Sequence, residues 1–218
     1  MLLCEGLALL ALDPGSGRHA LGVRAELNAC LAGLLVAELV VDGFAAAGGD
    51  ERDVVPSGGV PDGTALAAAL DVVDRKGPRI KAILSAMDRG LTQHLGTGTW
   101  DTAIAGLVAA GVVGAAEGGL RPKHEILDPG PGAVLLERLQ AAARGQGDGD
   151  IRTALLLSMT GPARLLEVVA PQGGRPRREA RDRIDHALDG TPVAPIGTIV
   201  RKLIAENQAA GAVPGVVG

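Results

Sequence analysis

Residues 27–41 read LNACLAGLLVAELVV, and between Asn28 and Glu38 every residue from Ala29 to Ala37 is apolar or small. A helix drawn through them has no polar stripe left for water, so other parts of the protein must surround it. Crossing a bilayer takes roughly 20 consecutive apolar residues, and Asn28 and Glu38 interrupt this run too soon. The stretch is predicted to be the buried central helix of a globular domain, with the rest of the chain as its cover.

The cover must be aliphatic, because the 218 residues include one Trp, one Phe and no Tyr. That length suits a single domain. Residues 1–210 are read as this domain and 211–218 as a frayed C-terminal tail. The formal net charge of −4 argues against bulk binding of nucleic acid, which needs a basic excess or a strongly basic face. Cys4 and Cys30 both sit in apolar segments without a CxxC partner, so buried reduced thiols and a cytoplasmic setting are expected. The apolar start MLLCEGLALLALD has no basic leader region and contains Glu5. It reads as an ordered core element rather than a signal peptide.

Outward from the core helix, periodicity and punctuation predict the other elements. Leu2 to Leu12 is a helix, closed by the turn DPGSGR and followed by a short strand from His19 to Val23. Gly43 stops the core helix, and a hairpin turning at Gly48-Gly49-Asp50 occupies Phe44 to Ser57. Helices follow over TALAAALDVVD, from Arg79 to Gly90, and from Trp100 to Ala110. A second hairpin, VVGAAEGGLRPKHEIL, turns at Glu117-Gly118-Gly119. Ala133 to Arg144 is a helix, GQGDGD a connector and Ile151 to Thr160 another apolar helix. After Gly161-Pro162 come ARLLEVVAP, the Arg-rich helix PRREARDRIDHAL, and an amphipathic helix carrying Ile196, Ile199, Val200, Leu203 and Ile204. The predicted class is mainly α: one globular, all-helical core around the buried central helix, with peripheral β-hairpins.

Motifs for catalysis are missing. His19, His94, His124 and His186 lack zinc spacing, and no Gly-x-Ser-x-Gly elbow surrounds any serine. Asp128-Pro-Gly-Pro-Gly precedes a helix as a phosphate loop would, but its prolines remove N–H donors, so it reads as a helix-opening turn. No enzymatic activity, cofactor or metal is expected. Two basic features remain. Arg175, Arg177, Arg178, Arg181 and Arg183 alternate with Glu179, Asp182 and Asp185 at helical spacing, which reads as a solvated, salt-bridged face. Arg121 and Lys123, beside His124 on the second hairpin, are placed to rest on an anionic membrane, where each cation adds about 1 kcal/mol.

In order, LALLALDPGSG, ACLAGLLVAELVVDGF, LVAAGVV with its hairpin, and DIRTALLLSMTGPARLLEVVAP resemble the Golgi phosphoprotein 3 family, which has bacterial members. The resemblance runs from about Leu2 to Leu203. It implies a mostly helical single domain with peripheral hairpins. The family's eukaryotic members are peripheral membrane proteins that bind phosphatidylinositol 4-phosphate and recruit the tails of Golgi enzymes. Residue by residue, the resemblance places the family's head-group tryptophan near Val23 and a pocket arginine on Ala32, so neither is retained. A second arginine pair falls between Thr97 and Thr102, where this chain has Trp100 and no Arg. An anionic head group would then be met by Arg18 and Arg24 near the start of the core helix, by Trp100, and by Arg121 and Lys123.

The resulting expectation is a non-enzymatic, adaptor-like protein, cytoplasmic and peripheral on the inner face of a membrane. Its partner is an anionic phospholipid surface, with room for a protein partner and for self-association. Two alternatives stay open. A winged-helix-like DNA-binding regulator is prompted by the Trp100 helix and its hairpin, although Trp100 to Val113 contains no Lys or Arg. A small-molecule or peptide-binding module would use a cleft between the core helix and the Arg-rich helix.

Overall fold

The computed structural model describes residues 1–12, 24–90, 98–115, 124–147 and 149–211. In chain order they form α1 (Leu3–Ala11), α2 (Arg24–Val41), β1 (Ala45–Ala47), β2 (Val54–Pro56), α3 (Thr64–Lys76), α4 (Ile80–Gly90), α5 (Thr99–Ala109), α6 (Gly130–Ala143), α7 (Ile151–Thr160), α8 (Leu166–Val169), α9 (Gly174–His186) and α10 (Ala194–Gly211). The protein is mainly helical, with one small antiparallel sheet among the described residues.

The apolar run lies inside α2, which packs against α1, α3, α4, α5, α7, α10 and β1. Leu31, Ala32, Leu34, Leu35, Val36, Ala37 and Leu39 are fully buried. Burying each leucine contributes roughly 1.5–3 kcal/mol relative to leaving it in water, so α2 is the element around which the domain condenses. Gly33 sets the distance to α10, because a Cβ there would lie 2.5 Å from Val200 Cγ2. The two helices approach so closely only because this position has no side chain.

The predicted hairpin after α2 is present, with Ala45 opposite Pro56 and Ala47 opposite Val54. Its turn is closed by the Gly48 N–H donating to the Asp53 carbonyl at 2.8 Å. The second predicted hairpin is seen at its base. Val113 and Ile126 form an antiparallel bridge, and the Gly114 N–H donates to Glu125 at 2.7 Å. Its turn at Glu117-Gly118-Gly119 lies outside the described residues, as do the strand expected from His19 to Val23 and the C-terminal tail beyond Gly211.

Helix boundaries move where local chemistry extends them. α6 opens at Gly130, before the expected Ala133, because Pro131 is tolerated in a first turn and the Asp128 carboxylate accepts from the Gly130 N–H at 2.9 Å. Asp150 caps α7, accepting from the N–H groups of Arg152 and Thr153 at 3.3 and 3.0 Å. Cys4 and Cys30 are both buried, and burial pushes their thiols above the usual range.

Candidate functional site

The first turns of α2 are where the sequence places a head-group surface. Arg24 is the first residue of α2, while Arg18, Val23, Arg121 and Lys123 lie outside the described residues. Ala32, on which the resemblance would set a pocket arginine, is a fully buried core residue. Trp100 is 5% exposed in the first turn of α5. Its ring is part of the core, so packing explains it without a ligand.

α5 reaches α2 at this end, since the Thr99 hydroxyl donates to the Asn28 carbonyl at 3.2 Å. The base of the second hairpin leaves from the other end of α5, about 16 Å away at the rise of an α-helix. The described residues therefore bring Trp100 to the start of α2 and place the bases of the segments carrying Arg24 and Lys123 apart.

Glu26 organises the other side of this end. Its carboxylate accepts from Arg164 Nη2 at 2.9 Å and from Gln208 Nε2 at 3.2 Å, tying α2 to the segment after α7 and to α10. Burial pushes its pKa up, but its own backbone N–H, Gln208 and Arg164 together hold it below the usual carboxylate range.

Arg164 is held by an unusual backbone. Its φ of +58° makes it the one non-glycine residue in the left-handed region among the described residues. The Arg164 N–H donates to Gly161 at 3.0 Å and the Leu165 N–H to Thr160 at 2.8 Å. This is the closure of a helix that normally ends in glycine. The sequence placed the break at Gly161-Pro162, but the chain carries its turn through both residues. A side chain at this position costs roughly 1 kcal/mol or more in backbone strain, and here it carries a cation to Glu26.

Beside Arg164 the structure opens a cleft of about 570 Å³ between α9 and α10. α9 packs on α6 and α7, whereas α10 packs on α2, α4 and α7, which leaves this space between them. α9 lines it with Arg177, Arg181, Ile184 and Asp185, and α10 with Arg201, Ile204, Ala205 and Gln208. Those spacings place each set on one helical face. The expected cleft between the core helix and the Arg-rich helix is thus displaced. It lies between the Arg-rich helix and α10, and reaches α2 only through Arg164 and Gln208 at Glu26.

Four arginines and two carboxylates line this cleft, and two of the arginines are engaged. Arg164 is held by Glu26, and Arg177 pairs with Glu167 at 3.1 Å while donating to the carbonyls of Ala170, Pro171 and Gln172. Arg181 and Arg201 have no hydrogen bond or ion pair among the described residues. The remaining arginines of α9 follow the salt-bridged reading in part: Arg175 pairs with Glu179 at 2.8 Å, and Arg183 donates to the Ala143 carbonyl at 2.9 Å.

A second groove, of about 1330 Å³, lies between the β1–β2 turn, α4 and the start of α10. Of the four cations that line it, Arg79 pairs with Asp50 at 2.8 Å and Lys81 with Glu206 at 2.7 Å.

Comparison with known proteins agrees with the architecture. The family model described as Golgi phosphoprotein 3 (GPP34) matches residues 3–207, which take in every helix from α1 to most of α10. No curated protein matches the chain.

Proposed function

Because the chain belongs to the Golgi phosphoprotein 3 family, we propose that it is a non-enzymatic, adaptor-like protein that docks reversibly on an anionic membrane surface. The observation that carries this reading is the arginine-lined cleft beside the first turn of α2. In a chain of net charge −4, it gathers cations at the end of the fold where α2 begins. No helix among the described residues is long and apolar enough to cross a membrane. Attachment through the described elements would therefore be peripheral.

Arg18, Arg24, Arg121 and Lys123 are the further cations proposed to face the lipid. Each adds about 1 kcal/mol near an anionic leaflet. A handful of such contacts gives binding that is reversible and salt-sensitive rather than permanent. Trp100, buried in the core, is left out of the contact proposed here. A protein partner would be carried to the membrane by the same docking, which is the adaptor role.

Sedimentation with phosphatidylcholine vesicles, with and without phosphatidylinositol 4-phosphate or phosphatidylserine, tests the reading. The expected result is co-sedimentation that requires the anionic lipid and fades as salt is raised. Absence of lipid-dependent binding at low salt would remove it.

A further inference from the structure

We propose that the cleft between α9 and α10 binds a phosphate monoester, held by Arg181 from one wall and Arg201 from the other. Three observations carry the assignment, and none of them depends on membrane docking.

The first is the state of the two guanidinium groups. The other cations lining the cleft are engaged by carboxylates, whereas Arg181 and Arg201 have no partner among the described residues. Glu167 is matched by Arg177, and Glu26, behind the cleft, by Arg164. Asp185 is then the one lining carboxylate without an ion pair among the described residues, against two free guanidinium groups. The local excess is positive.

The second is the floor. Leu166, Ile184 and Ile204 line the same cleft, and the two isoleucines are almost fully buried. An apolar floor lowers the local dielectric and strengthens any charge-assisted hydrogen bond formed above it. It also offers a surface to the organic part of a ligand. A volume of about 570 Å³ falls within the range of small-molecule sites, about 300–1,000 Å³.

The third is direction. One arginine can saturate a planar carboxylate through a bidentate pair. Arginines that reach one cleft from two different helices suit an anion with oxygens on several sides, and a phosphate monoester carries three terminal oxygens and about −1.5 to −2 charge near neutrality. Such a phosphate occurs on soluble metabolites and on the head group of phosphatidic acid. The chemistry of recognition is the same for both.

The experiment uses the full chain, with calorimetric titration of phenyl phosphate and sedimentation with phosphatidylcholine vesicles with and without phosphatidic acid. The variants are Arg181→Gln, Arg201→Gln, the double variant, and Arg178→Gln, an exposed arginine outside the cleft. Because Arg181 and Arg201 have no partners to lose, thermal melting should be unchanged in all four. Saturable phenyl phosphate binding is expected, weakened about tenfold by each single substitution and unaffected by Arg178→Gln. If only this readout falls in the double variant, the ligand is a soluble ester. If phosphatidic acid-dependent sedimentation falls as well, or alone, the lipid head group is the source. The proposal is overturned if neither readout responds to the double variant. Sedimentation that persists in that case leaves membrane docking standing, whereas phenyl phosphate binding without any sedimentation removes docking and keeps the cleft.

Discussion

Glu38, on the core helix α2, receives Arg152 of α7 at 2.6 Å through Oε1, and at 2.9 Å its Oε2 accepts the backbone N–H of Leu3 at the start of α1. The carboxylate is 1% exposed by residue. A charge so placed is tolerated only because one side chain serves three helices at once. Arg152 in turn reaches Asp42 at the end of α2.

Removing Arg152 should therefore cost more than a surface ion pair would. With Arg152→Ala, Glu38 keeps the Leu3 N–H and loses its counter-charge. The expected loss is about 2–3 kcal/mol, below the full buried-pair value because Arg152 is 36% exposed and water screens part of it. Burial already raises the Glu38 pKa, with Asp42 adding to the rise, while Leu3 and Arg152 pull it down. A raised folded-state pKa contributes stability that is full below the unfolded carboxyl value and is lost as pH rises through the folded value. The variant raises that pKa further, so its deficit should be larger at neutral pH than in acid. Urea unfolding across pH measures this, and equal stability of variant and parent at neutral pH would sink it.

Arg164 sits where glycine usually closes a helix, so two truncations should differ in an unusual order. Arg164→Ala loses the Glu26 pair and keeps the strained left-handed backbone, whereas Arg164→Gly loses the pair and relieves the strain. The glycine variant should be the more stable by about 1 kcal/mol. Glu26 titrates below its usual range, so it contributes stability above the unfolded carboxyl pKa that is lost as pH falls through the folded value. Both deficits relative to the parent should shrink on acidification. Thermal melts at several pH values compare the three proteins, and an alanine variant as stable as the glycine one would refute the strain argument.

At the α2–α10 contact, Gly33→Ala would set a methyl against Val200 Cγ2, and valine has little rotamer freedom with which to withdraw. A loss of about 1–3 kcal/mol is expected from overpacking. Val200→Ala in the same chain should recover part of it, giving a favourable coupling between the two substitutions. Strictly additive losses in a denaturation cycle would show that the helices separate freely here.

The chain's one tryptophan reports on the docking geometry. Trp100 is buried, so its emission should be blue-shifted in solution and should not shift further when vesicles bind. Trp100→Ala should destabilise the fold by about 3–5 kcal/mol, while Trp100→Phe should leave vesicle binding unchanged. A lipid-induced shift in emission would place the indole at the membrane after all.

Much of the fold was legible because local rules and burial agree. The Ala29–Ala37 run could only be a core helix; Gly48-Gly49-Asp50 between short runs read correctly as a hairpin; Ile151–Thr160 was bounded to the residue. These follow from periodicity, turn chemistry and the exclusion of apolar surface from water, all written along the chain. Glu38 was visible only as an interruption of the apolar run. Its polarity signalled that a partner was needed, yet nothing local named Arg152, which is 114 residues away.

The same division runs through the candidate site. Alternation of Arg and Asp or Glu in the stretch 175–185 predicted helical salt bridges, and Arg175–Glu179 at i, i+4 obeys. Arg177 instead turns to Glu167, and Arg181 and Arg201 line the same cleft without an ion pair among the described residues. Trp100, which the resemblance sets among the head-group residues, is buried in the core. By itself the sequence determined which segments must be helical, which must be buried and which family they belong to, because those properties depend on neighbours along the chain. Only the tertiary structure decided which charges are satisfied and which remain free. That depends on long-range packing, which brings Glu26 to Arg164 and leaves a cleft between α9 and α10 lined by Arg181 and Arg201.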